Sequence, residues 1–246
     1  MDKKVKAVIA FVVIVTVIAL GAMILILGGL LYKHTDKLNK KLNINEEGLA
    51  YMEQKYGEKF EYDGPWGNSM TGTHEFLVQC DSLPGESIVV EIENYKQDNK
   101  IFRDNYLAVK YREDTINFIR DCANQVLGET TVFYRESCIG LSPYLPATAT
   151  FEEYLADTSG YIGASIEVKA SAFVSREQVE KIAEPIASTC KADLMIRIIF
   201  VEDYKYGTLD MDTLGDELVF NKYVHCMRIE RLDDGSIKID WREKKY

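Results

Sequence analysis

Between Ala7 and Tyr32 the chain carries no charged residue over 26 consecutive positions, AVIAFVVIVTVIALGAMILILGGLLY. Crossing the hydrocarbon core of a bilayer as a helix takes about 20 apolar residues. In that medium only a helix or a closed barrel satisfies its own backbone N–H and C=O groups. The run therefore predicts a transmembrane helix over 7–32, behind a short basic tail, 1–6. A core helix of a soluble protein rarely runs so far without a charge. A cleaved signal is the competing reading, with Lys3, Lys4 and Lys6 as its basic end and Ala19-Leu20-Gly21 as a small-residue site. The apolar run continues past that site through Met23–Leu27 and Leu30–Leu31, beyond the ~7–15 residues of a signal core. The first cysteine is Cys80, so a lipid-modified N-terminal cysteine is excluded, and Gly21, Gly28 and Gly29 form no GxxxG pair.

Orientation rests on a different argument. Lys3, Lys4 and Lys6 precede the helix while Lys33, Lys37, Lys40 and Lys41 follow it, so basic residues give no clear asymmetry. The head is short and basic, and large domains translocate largely regardless of charge. The expectation is a single-pass plasma-membrane protein with its remaining region extracytoplasmic. Setting aside the first 32 residues removes three lysines and Asp2 from totals of 29 basic and 39 acidic groups, leaving 26 and 38. So acidic a surface repels phosphates and argues against nucleic acid. Residues 33–45, KHTDKLNKKLNIN, read as a lysine-rich stalk whose natural neighbour is the lipid headgroup.

Cys80, Cys122, Cys138, Cys190 and Cys226 include no CxxC pair, so metal knuckles and dithiol redox sites lack support. Their wide spacing and odd number do not resemble a disulfide framework, and they read mostly as core residues. No Asn-x-Ser/Thr sequon occurs, which leans toward a bacterial surface protein.

The fold class read from the pattern is α+β: the transmembrane helix, then two small halves, each an antiparallel sheet with helices. The first half, 46–139, opens with a helix whose Leu49, Met52 and Tyr56 share a face, with Gly57 as its C-cap. Strands are expected at 75–80, 87–95 and 101–111, joined by turns at Asp81–Glu86 and Gln97–Lys100. A helix over 112–127 and a strand over 129–136 follow. The proline-bearing GLSPYLPATAT, 140–150, reads as a linker. In the second half, 151–246, capping boxes Thr150-x-x-Glu153 and Ser175-x-x-Gln178 start two helices, the second containing Pro185. Strands are expected at 161–172, at the very apolar 193–201, and at 219–232 and 236–241, the last two around Asp233-Asp234-Gly235.

No GxSxG, HExxH, GxxxxGK[ST] or GxGxxG is present, and the only histidines are His34, His74 and His225. No catalytic, cofactor-binding or metal-ligating residue is assigned. Asp210-x-Asp212 with Gly215 starts like a calcium loop, but Leu214 and Asn221 fall where ligands belong. The candidate interaction patch is Phe102, Arg103, Asp104, Asn105 and Tyr106, a polar triplet between aromatic residues; edge-strand charges that block aggregation are its bland reading. Fifteen tyrosines suit binding surfaces and strands alike. Leu145-Pro146-Ala147-Thr148 resembles part of a wall-sorting signal but lies about a hundred residues too early.

YMEQKYGEKFEY (51–62), FRDNYLAVKY (102–111) and FEEYLADTSGYI (151–162) resemble membrane-anchored or lipoprotein-type envelope proteins of Gram-positive bacteria. That resemblance implies an envelope location and carries over no activity. The expected function is a membrane-tethered module binding an envelope protein or wall component. Its alternatives are an envelope hydrolase using carboxylates and an inward-facing regulatory domain.

Overall fold

The computed structural model describes residues 23, 44–66, 72–135, 145–157, 161–172, 174–209, 223–232 and 234–243. The expected membrane helix over 7–32 lies outside them except for Met23; so do most of the stalk, residues 140–144 of the linker, and the calcium-like stretch from Asp210. Among the described residues no helix is long and apolar enough to cross a membrane. Residues Gly48–Tyr246 form one compact unit and Met1–Glu47 another.

The architecture is α+β with two sheets rich in antiparallel pairs. Helix α1 (44–56) ends at Gly57, which takes φ 71 and donates its N–H to the Glu53 carbonyl at 2.9 Å, as the sequence predicts. Strands β1 (Phe60–Pro65), β2 (His74–Cys80), β3 (Ile88–Glu93) and β4 (Ile101–Asp104) form an antiparallel meander in chain order. Strand β1 was not evident in the sequence because only Phe60 of it is buried, so its pattern shows no clean alternation. On one face Phe76, Val78, Ile88, Val90 and Ile92 are fully buried, and Met52 of α1 is equally buried.

The expected strand over 101–111 divides. It stops at Asp104, and Tyr106–Lys110 forms the short helix α2, followed by α3 (Arg112–Leu127). Four successive buried residues, Tyr106 to Val109, explain the misreading, because an apolar run this short carries no period. Arg112 anchors the start of α3 by a two-pronged pair with Glu86 at 2.7 and 2.8 Å.

The second sheet is ordered β5 (Thr131–Arg135), β6 (Tyr161–Lys169), β7 (Asp193–Val201), β8 (Tyr223–Arg231) and β9 (Ile237–Glu243). Strand β5 precedes the proline-rich stretch yet pairs with β6 beyond it. The sheet is not wholly antiparallel as expected. Strands β6 and β7 run parallel, because helix α5 (Arg176–Thr189) carries the chain back between them. The apolar β7 is central, as its composition indicates.

Alternation separates the two faces of this sheet. Ile162, Ala164, Ile166 and Val168 of β6, with Ile196, Ile198 and Phe200 of β7, are buried on the side where α3 and α5 pack together. Buried Ile119 and Ala123 of α3 and Val179, Ile182 and Ile186 of α5 supply the helical side of that core. The short helix α4 (Phe151–Ala156) begins at the capping box, with Thr150 Oγ1 accepting from Glu153 N at 3.3 Å and Glu153 Oε2 accepting from Thr150 N at 2.7 Å.

Candidate functional site

The string 102–106 lies at the end of β4 and the start of α2, and strand alternation sends its members in different directions. Asp104 pairs with Val90 and faces α1. Its side chain is 2% exposed and receives four donors: Tyr51 Oη at 2.9 Å and Lys55 Nζ at 2.8 Å on Oδ2, Tyr56 Oη at 2.6 Å and Tyr106 N at 3.0 Å on Oδ1. A carboxylate offers about four lone-pair sites, so this one is saturated. Helix α1 supplies three of the donors because residues 51, 55 and 56 fall on one helical face.

Aromatic packing closes the cluster. The Tyr56 ring stacks on Tyr106 at 4.0 Å and Tyr51 on Phe102 at 5.2 Å, while Lys55 Nζ sits 5.1 Å from the centre of the Tyr56 ring. Tyr106 Oη donates to Glu58 Oε1 at 2.9 Å. Burial first, then the Asp104 charge, pushes the Tyr51 and Tyr56 hydroxyls far above the ordinary phenol range. They stay protonated, as donors to Asp104 must. A full carboxylate with protonated partners can hold two elements together. It has no lone pair left for a substrate proton.

The remaining members point elsewhere. Asn105 is buried and staples β3, its Oδ1 accepting from Val89 N at 2.7 Å and its N donating to Val89 O at 3.2 Å. Arg103 takes the opposite face from Asp104, half-buried, and pairs with Glu93 at 3.2 Å. The structure thus joins Phe102, Asp104 and Tyr106 to one internal cluster and places Arg103 apart from them.

Arg103 lies in a row with Glu91 and Glu75, directly opposed across β4, β3 and β2. Burial, then the charges of Glu75 and Glu93, raise the Glu91 carboxyl above its usual range, against the pull of Arg103. This is the arrangement of facing carboxylates with one raised member. It stands on a sheet face, outside the groove lined by Arg231 and the one lined by Lys59.

A second raised carboxyl is Glu167 of β6, fully buried, which accepts from Gly207 N at 3.1 Å on Oε1, while its Oε2 makes no hydrogen bond of good geometry among the described residues. Burial lifts it, opposed by the backbone N–H groups of Gly207 and Leu209. Sequence reading passed over it, although a lone acid inside the apolar run of β6 is a legible signal; so is Arg197 inside DLMIRIIFV.

Between α5 and the β8–β9 hairpin lies an open groove of about 540 Å³, floored by Ala183, Ala187, Ile237 and Ile239 and rimmed by charges. One wall is Arg231, whose guanidinium donates to the carbonyls of Ala187, Cys190, Ala192 and Gly235 at 2.6–3.2 Å. That closes the carbonyl-rich end of α5 with a cation. A smaller groove of about 270 Å³ lies around Lys59, Gln79 and Asp81. Cys80, Cys122 and Cys190 are buried and free, with the Cys190 thiol pushed up to about 12 by burial. Among the described residues no three His, Cys, Asp or Glu side chains are placed to hold a metal ion.

No protein-family model matches the chain, and no curated protein does. A crystal structure of a DUF5037 family protein from Ruminococcus gnavus aligns with 12% identity over 78% of this chain and 92% of that one, at a TM-score of 0.41. A likeness of that size supports no statement about function.

Proposed function

We propose that the chain is a membrane-tethered binding module, anchored through residues 7–32 with its α+β region on the extracytoplasmic side. It engages a protein or a cell-envelope component and carries out no reaction itself. The 26 uncharged residues of that segment carry the reading. The saturation of Asp104 supports the second part, because a carboxylate with four donors is committed to the fold.

Extraction of membranes with alkaline carbonate tests the anchor. The full chain stays in the pellet, and a chain lacking residues 1–32 is released. Release of the full chain would overturn the reading. Protease added to intact cells then digests the α+β region; a protected region would favour the inward-facing regulatory alternative.

The row Glu75–Glu91–Arg103 is the specific observation behind a second reading, an envelope hydrolase working through carboxylates. Hydrolysis of an envelope polymer that disappears in Glu91→Gln would favour it over a pure binding role.

A further inference from the structure

The face of the five-stranded sheet turned away from α3 and α5 carries a row in which two arginines stand side by side. Ser165, Arg197, Arg228 and Asp240 stand directly opposite one another across β6, β7, β8 and β9. Directly opposed residues bring their Cβ atoms to about 4.5–5.5 Å, and like charges so placed repel.

The partners that these side chains reach offset the charge of Arg228 but not that of Arg197. Among the described residues Arg197 reaches only the sulfur of Met195, at 3.9 Å, and thioether sulfur is a weak acceptor. Arg228 donates one Nη to Glu230 at 2.7 Å, and its Nε–H is buried with no acceptor. Asp240 already pairs with Lys238 at 2.7 Å. Arg231 makes the contrast, with a guanidinium spent on four carbonyls. Among the described residues the charge of Arg197 has no acidic partner, and both arginine side chains are partly exposed.

We propose that Arg197 and Arg228 form a binding site for an oxyanion, the carboxylate or phosphate group of a small ligand, on the face of the five-stranded sheet turned away from α3 and α5. The guanidinium fork of Arg197, with the remaining Nη of Arg228 beside it, matches the paired oxygens of such a group and supplies N–H donors in a fixed plane. An oxyanion between them removes the repulsion of the opposed pair. The Ser165 hydroxyl stands next in the row as a further polar group. Glu167 lies one row along β6, and burial disfavours its charged form, which lessens its opposition to an anion nearby. The site goes beyond the binding role proposed above and does not depend on the membrane anchor.

The test is a titration of the full chain in detergent micelles, read at the arginine Nε–H resonances by NMR. Inorganic phosphate and malonate are the probes, with sodium chloride at matched ionic strength as the control. Saturable shifts at Arg197 and Arg228, with one dissociation constant, are expected. Arg197→Gln should weaken binding at least tenfold while the melting temperature stays the same or rises, since it relieves repulsion. Arg197→Lys, which keeps the charge and loses the fork, should fall between, and gives a second variant should the glutamine form fail to fold. Arg176→Gln on α5 should leave binding unchanged. Tenfold preference for phosphate or for malonate identifies the oxyanion class. Shifts that chloride reproduces, shifts that never saturate, or undiminished binding in both Arg197 variants would overturn the site.

Discussion

Replacing Asp104 by asparagine changes little in size and much in bonding. The amide nitrogen can no longer accept, so two of four donors lose their partner, and Lys55, largely shielded beside it, loses its counter-charge. Removing one member of a buried pair costs about 3–5 kcal/mol, so Asp104→Asn should lower stability by that order in urea unfolding. Tyr56→Phe removes one bond while keeping the ring on Tyr106, and should cost about 1–3 kcal/mol. Glu167 behaves in the opposite sense. Its folded pKa is raised, so between the ordinary carboxylate value and the raised one the native state binds more protons than the unfolded chain. Stability contributed at this site therefore falls as pH rises through that window and is restored in acid. Glu167→Gln, which cannot ionise, should exceed the natural chain in stability at pH 7, and the gain should vanish near pH 4; denaturant midpoints at the two pH values check this. The sequence displayed Asp104 as one charge in a polar triplet, but its value depends on three donors about fifty positions earlier, which no local pattern reveals.

Individual elements show how far local signals reach. Both capping boxes, the Gly57 stop and the α3 boundaries follow from residues within one helical turn, and they appear in the structure. Pro185 sits inside α5, as the sequence indicates, and it is exposed. Proline in a helix interior is about 3 kcal/mol less favourable than alanine. Pro185→Ala should therefore stabilise the protein, by about 1–3 kcal/mol, as a higher melting temperature. The far end of α5 depends on Arg231, a residue of β8 more than forty positions later. Its replacement by glutamine should cost about 2–4 kcal/mol, since bonds from a charged donor are worth about 1.5–3 kcal/mol each and are not additive. The division of 101–111 into strand and helix went unread because tertiary burial, not periodicity, selects the conformation of Tyr106–Val109.

For the molecule as a whole, the connection through α3 is decisive. The helix follows the four-stranded sheet, and strand β5, directly after Gly128, enters the other sheet beside β6. Tyr111 adds a bond to the Ala149 carbonyl and ring contacts with Phe151 and Tyr154. A fragment ending at residue 139 keeps β5 but deprives it of β6, the strand it pairs with, so such a fragment should show weakened or lost cooperative unfolding. The chain from residue 48 onward should melt in a single transition by circular dichroism and fluorescence alike.

By itself the sequence determined what depends on near neighbours: the uncharged 26-residue run, the acidic balance, the helix starts and stops, and the strands whose alternation is clean. The tertiary structure alone decided which strands pair, that β6 and β7 run parallel, and that Asp104 is enclosed while Arg197 faces Arg228. The physical reason is one of range. Backbone sterics and capping act over a few residues, whereas burial and charge pairing are settled by whichever distant segments the fold brings within a few ångströms.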